Sequence, residues 1–293
     1  MHFTLKQLEV FLAVASHENV SQAAQELAIS QSAASTALKG LEQRFELNLF
    51  DRRGKRLLLN EQGQALQLRA AALISQARDL ELTLKSRAEV GALKVGATLT
   101  IGNYLAIGIL ASFMKQHPGT RAELTVENTE AIVTKVRKFK LDIGLIECEL
   151  QEPDLDSIFW RDDELIAFCA PDHPFASTGE LSDQQLIEAA WIVREPGSGT
   201  RQAFDRAMSG ILPDLNLRLE LQHTEGVKRA VEAGLGIGCL SRLTLIEAFS
   251  RGTLVPLTVP HRNWHRKFYF ILHKQKHRSA SVMSWIENCR HTA

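Results

Sequence analysis

Three short stretches set hydroxyls and glycines where an apolar strand pattern gives way to a helical one. They are Thr98, Leu99, Thr100 and Ile101; Gly197, Ser198, Gly199 and Thr200; and Thr224 ahead of Gly226. At such a junction the first backbone N–H groups of the helix lack intrahelical partners, and the helix dipole adds partial positive charge. That combination holds a small anion without the bulk of long side chains. Glycines around Ser198 let the backbone curl round a ligand, and Arg201 is placed to add a full charge. Each stretch taken alone also serves as an ordinary cap or turn; their recurrence favours binding. Glu147, Glu195 and Glu225 would repel an anion unless they point away, pair with Arg194 or Arg201, or share a proton with the ligand.

A different chemistry is written between Ser21 and Phe45. Ala23, Ala24 and Leu27 form one apolar stripe and Ala34, Leu38, Leu41 and Phe45 another, so two short helices cross closely. Ser21 is placed to cap the first and Ser30 the second. Away from the second stripe lie Gln31, Ser32, Ser35, Thr36 and Lys39, short and mostly uncharged. Such a face suits base edges in a major groove, where an amide can pair with adenine N6 and N7. The same pattern fits an Ala-rich helical pair whose polar face is merely solvated. Next come Arg52, Arg53, Lys55 and Arg56 around Gly54, between two short strand patterns. A basic hairpin there can straddle phosphates and displace counterions. Its place directly after the candidate reading helix favours DNA over a solvated loop.

Other elements must hold these residues. Thr4–Ala15 is an amphipathic helix that completes a core for the helix pair. From Glu61 to Glu89 an apolar seam at Leu66, Ala70, Leu73, Ala77, Leu80 and Leu84 alternates at four and three, marking a dimerising helix about 40 Å long. Beyond Gly91, strands and helices alternate through LKVGA, AELTVEN, LDIGLIE, ELIAFCAP, WIV, LRLELQ, GIGCL and KFYFILH. Two α/β units built on parallel strands, with a cleft between them, are expected. The 293 residues carry 34 basic and 34 acidic side chains, so any surface for nucleic acid must be local. Cys148, Cys169, Cys239 and Cys289 are dispersed in or beside apolar segments, which suits reduced thiols in a cytoplasmic protein. The N-terminus lacks the order of a signal peptide, and no apolar run is long enough to span a bilayer, so no membrane partner is expected.

The first ninety residues resemble the N-terminal part of LysR-type transcriptional regulators, through LKQLEVFLAVA, AAQELAISQSAASTALKGLE and LFDRRGKRLLLNEQG. This resemblance implies base and phosphate contacts at Gln31, Ser32, Ser35, Thr36 and Lys39 and at the wing residues Arg52 and Arg53. Members often carry proline and arginine where this chain has Ser32 and Thr36, so base preference does not transfer there. The remainder is similar more weakly, with VKRAVEAGLGIGCLS closest in look. It implies an α/β effector domain of two lobes, built like a periplasmic binding protein, behind a winged helix-turn-helix domain and a long linker helix. The Thr98 and Thr100 arrangement and the GSGTR loop look most like the branch linked to sulfur and cysteine metabolism, whose effectors include sulfate, sulfite or O-acetylserine.

The expected boundaries are 1–60 for the DNA-binding domain, 61–90 for the linker and 91–293 for the effector domain. Its lobe I takes about 91–161 and 266–293, and its lobe II about 162–265. The expected partners are double-stranded promoter DNA, a small anion and further copies of the chain as a homodimer or homotetramer, with RNA polymerase left open. An enzyme or a ligand-sequestering protein would use the same cleft without DNA. Against an enzyme, there is no Ser/His/Asp set, metal spacing, P-loop or dinucleotide fingerprint, and His223, His261 and His265 stand isolated, so no cofactor or metal is expected.

Overall fold

The computed structural model describes residues 2–53, 56–84 and 93–292. They fall into two compact units: Met1–Gly91 with Lys274–Met283, and Ala92–His273 with Ser284–Ala293.

In the first unit, α1 (Leu5–His17), α2 (Val20–Glu26) and α3 (Gln31–Arg44) pack round Phe11, Val14, Ala23, Ala34, Leu38 and Leu41. Thr4 starts α1 with a capping box, its hydroxyl taking the Gln7 N–H. Ser30 starts α3 by accepting the Ala33 N–H at 3.1 Å. Ser21 caps nothing: Asn19 begins α2, its side chain accepting the Ser21 and Gln22 N–H groups at 2.8 and 3.2 Å. The helix therefore opens a turn-fraction earlier than its apolar stripe does, and Ser21 lies within it. Strands β1 (Phe50–Arg53) and β2 (Arg56–Leu59) pair antiparallel with Arg53 opposite Arg56.

The long helix α4 covers Glu61–Leu84; the expected continuation to Glu89 lies outside the described residues. Its seam divides in two. Ala70 and Ile74 are buried against the three-helix core, with Leu66 packed partly against it, whereas Leu73 and Leu80 are exposed. One stripe thus serves the chain's own core and the other is open.

The second unit follows the alternating pattern. In order come β3 (Leu93–Ala97), α5 (Leu99–Ile101), a π-helical turn (Gly102–Ala106), α6 (Ile107–Gln116), β4 (Ala122–Val126), α7 (Thr129–Arg137) and β5 (Ile143–Ile146). Then β6 (Leu155–Cys169), α8 (Asp183–Glu188), β7 (Ala190–Arg194), α9 (Gly199–Ala207), β8 (Asn216–Leu221), α10 (Thr224–Glu232) and β9 (Ile237–Ser241) follow. Last are α11 (Arg242–Arg251), which the periodicity leaves unassigned, β10 (Val255–Pro256), β11 (His265–His273) and α12 (Ala280–Thr292).

The sheet runs β4-β3-β5-β11-β6-β9-β7-β8, with β10 on β6. Its ends are parallel as expected, but β11 is antiparallel to β5 and β6, and β6 to β9. These two long strands carry the chain from one half to the other and back, so they must run opposite ways. Strand β6 passes unbroken through Asp162, where a restart is expected; up to Glu164 it pairs with β11, and from Leu165 with β9 and then β10. Two lobes share this strand. Separate apolar clusters back them, one round Ile132, Leu141 and Ile271, others round Trp191 with Phe204 and Val227 with Leu245.

Candidate functional site

In the first unit the polar face of α3 is open. Gln31, Ser32, Thr36 and Lys39 are exposed and Ser35 is half-buried, while Ala34, Leu38 and Leu41 turn inward. The Ser32 hydroxyl lies 3.0 Å from that of Ser30, at the end of the helix that would meet base edges first. Arg52 is exposed on β1, whereas Lys55 and the side chain of Arg53 lie outside the described residues. Arg56 approaches Glu18 at 3.8 Å.

In the second unit the three hydroxyl stretches gather where the lobes meet. Thr98 leaves β3 and precedes α5; it is 2% exposed, and its hydroxyl has no hydrogen-bond partner among the described residues. Leu99, Thr100 and Ile101 are buried behind it. Ser198 and Thr200, at the head of α9, are buried too. Gly197 adopts φ +85°, a left-handed conformation that glycine takes without a Cβ clash, and its carbonyl accepts the Glu130 N–H at 3.4 Å. Gly199 donates its N–H to the Thr129 hydroxyl at 3.1 Å; a Cβ there would sit 2.9 Å from that of Glu147. Thr224 is the first residue of α10, 2% exposed, and its hydroxyl also lacks a partner among the described residues. Leu99 and His223 border a hollow of about 410 Å³ with Asn103, Val126, Asn128 and Glu195.

The cation at this place is not Arg201. That guanidinium turns away to Asp205 at 2.8 Å, Glu220 at 2.7 Å and the Arg194 carbonyl at 3.0 Å, because one step along α9 rotates it about 100° from Thr200. The buried cation here is Arg266 on β11, a residue absent from the expected set. It donates to Glu147 at 2.8 Å, to the Thr200 hydroxyl at 3.0 Å and to Asp163 at 2.6 Å, with no side-chain exposure. Thr200 in turn donates to Glu147 at 3.0 Å, and Ser241 to Asp163 at 2.8 Å.

Burial by itself would raise the Glu147 carboxyl; the Arg266 charge, the Thr100 and Thr200 hydroxyls and Arg194 outweigh it and hold the group below its ordinary value. Glu147 is therefore an anion balanced internally, and of the escapes open to it the pairing is real with a different arginine. One oxygen of Glu147 and Nη2 of Arg266 are buried without partners among the described residues. Glu195 pairs with Arg194 through two hydrogen bonds of 2.8 and 3.0 Å. The cysteines are free thiols, and burial pushes Cys148 up to about 11, which leaves it a poor nucleophile.

Residues 5–64 match the bacterial regulatory helix-turn-helix protein of the lysR family, and residues 86–293 match the LysR substrate binding domain. The chain belongs to the LysR family of transcriptional regulators. It is a regulator rather than an enzyme, and its two-lobed domain is the ligand-binding part of a DNA-binding protein. Among LysR-type relatives, it is 40% identical over 289 residues to the uncharacterized HTH-type transcriptional regulator YeiE of Escherichia coli (strain K12), covering 99% of this chain and 98% of that one. It is 32% identical over 269 residues to the HTH-type transcriptional regulator CysL of Bacillus subtilis (strain 168), covering 90% and 89%. A full-length OxyR variant from Pseudomonas aeruginosa shares the fold at a TM-score of 0.78 and 20% identity, over 100% of this chain and 96% of that one. Among the described residues no helix is long and apolar enough to cross a membrane.

Proposed function

We propose that this LysR-type regulator acts in the cytoplasm as a homodimer or homotetramer on a palindrome-like promoter site, and that its signal is a small oxyanion such as sulfite or sulfate. The effector set is Thr98, Leu99, Thr100, Ile101, Glu147, Gly197, Ser198, Gly199, Thr200 and Thr224, with Arg266 in the place expected of Arg201. The observation that carries this reading is the pair of Thr98 and Thr224 hydroxyls, nearly inaccessible and without partners among the described residues. An unsatisfied buried hydroxyl costs about 1–3 kcal/mol, which a hydrogen bond to a ligand oxygen would recover. Arg266, already shared between Glu147 and Asp163, has one free nitrogen, which supports a compact ligand over a large polyanion.

Calorimetric titration of the full chain with sodium sulfite, sulfate and thiosulfate tests the class. Saturable binding of one of them, lost in Thr98→Val, is expected; silence from all three at millimolar levels ends the reading. The DNA-binding set is Ser21, Gln31, Ser32, Ser35, Thr36, Lys39, Arg52, Arg53 and Lys55. Arg52→Ala should weaken promoter retention and flatten its salt dependence, while Thr100→Ala leaves both as they are. An equal loss in the two variants would refute this division of labour. An effector that prefers one arrangement of the lobes shifts the dimer by no more than that preference. RNA polymerase is the remaining proposed partner.

A further inference from the structure

At the rim of the 410 Å³ hollow, next to its lining residues Asn103 and His223, three side chains join the two lobes. The Tyr104 hydroxyl donates to Glu225 at 2.5 Å. Lys228 donates to the same hydroxyl at 3.1 Å, reaches Glu225 at 2.6 Å, and is anchored on the Thr244 carbonyl at 3.2 Å. Its ammonium also lies 5.6 Å from the centre of the Tyr104 ring. Glu225 and Lys228 belong to the first turns of α10, one of them directly after the unpartnered Thr224. Tyr104 belongs to the π-helical turn that follows Thr98–Ile101. A π turn inserts a residue into a helix and re-aims its neighbours, and such turns are frequent at functional sites. Here it sets an aromatic hydroxyl across the gap between the two helix heads.

The Glu225–Lys228 pair lies within one helix and would form without any lobe contact. Tyr104 makes the cluster span the lobes, and at 36% exposure it is not a core residue. We infer that Tyr104, Glu225 and Lys228 form a strap that holds the mouth of the cleft shut without ligand and so governs how fast the effector enters and leaves. This rests on the cleft being the effector site. If ligand passes only through the open form, weakening a strap present in both the empty and the occupied closed forms speeds both passages by the same factor. The dissociation constant then barely moves as long as the closed form still predominates. A residue that touched the ligand would act differently, through the dissociation rate and the affinity together.

The test uses the ligand-free full chain, with Tyr104→Phe, which keeps the ring, and Glu225→Gln. Hydrogen exchange of amides in 99–106 and 224–228 should quicken about three- to tenfold in each variant, the span of one modest hydrogen bond, with α3 amides unchanged. Exchange equal to wild type in both variants overturns the strap. Stopped-flow binding of sodium sulfite should show association and dissociation rising together in Tyr104→Phe, with Kd within about twofold. A rise in dissociation alone, with Kd weakened in step, overturns it by making Tyr104 a ligand contact. Wild-type protein that ignores sulfite removes the proposed effector class, and the exchange result still decides the strap.

Discussion

Arg266 holds its charge with no solvent round it, and two carboxylates and a hydroxyl divide its protons. Removing one member of such a cluster strands the others, so Arg266→Ala should cost about 3–5 kcal/mol in denaturant unfolding, far more than a surface arginine. Glu147 adds a pH signature. Its folded carboxyl lies below the ordinary value of 4.5, so its contribution is complete above that value and is lost as pH falls through the depressed folded one. The stability gap between wild type and Glu147→Gln should therefore be widest near neutrality and shrink under acid below about pH 4.5. A gap that stays constant to low pH would mean that folding leaves the carboxyl unshifted. None of this was visible locally: Arg266 reaches Glu147 across 119 positions and Asp163 across 103.

Among the elements, α3 and α4 divide their faces most clearly. In α3 the cap, the polar face and the stripe of Ala34, Leu38 and Leu41 were legible, because each depends on neighbours within a turn or two, but Phe45, expected to continue that stripe, is the C-cap and is exposed. Ser30→Ala removes the acceptor of the Ala33 N–H and should cost about 1 kcal/mol, read as a lowered midpoint of the first unit. For α4 the sequence showed a seam but not which stripe was spoken for. Ala70 and Ile74 are used inside the chain, and the exposed Leu73 and Leu80 are left. Leu73→Lys with Leu80→Lys should then reduce self-association in sedimentation experiments while leaving helical content intact. Retention of the wild-type oligomer in that double variant would place assembly elsewhere.

For the whole molecule, a regulator of this family is defined by linkage between its ligand and its DNA. An effector that binds only folded protein must raise the thermal midpoint, by the equivalent of about 2.7 kcal/mol at one hundred times Kd. Sodium sulfite should do so in a scanning experiment with wild type and fail to do so in Thr98→Val. DNA affinity should fall steeply with salt even though acidic and basic residues balance at 34 each, because the proposed contacts depend on the local charge of α3 and the hairpin after it. Lys39→Ala should reduce the slope of log affinity against log salt by about 0.9.

Local patterns settled most of the helices and strands, though not α11 or the full run of β6, as well as where α1 and α3 begin and which stretches bring hydroxyls to helix heads. Those features depend on hydrogen bonds and periodicities only a few residues long. Tertiary structure alone decided that β6 and β11 run as antiparallel strands shared by the lobes. It also turned Arg201 outward to Asp205 and Glu220, set Arg266 beside Glu147, and carried Tyr104 across to Glu225. Each of those outcomes pairs residues far apart in the chain, and a buried charge or an open hydroxyl takes whichever partner the packed sheet brings within reach.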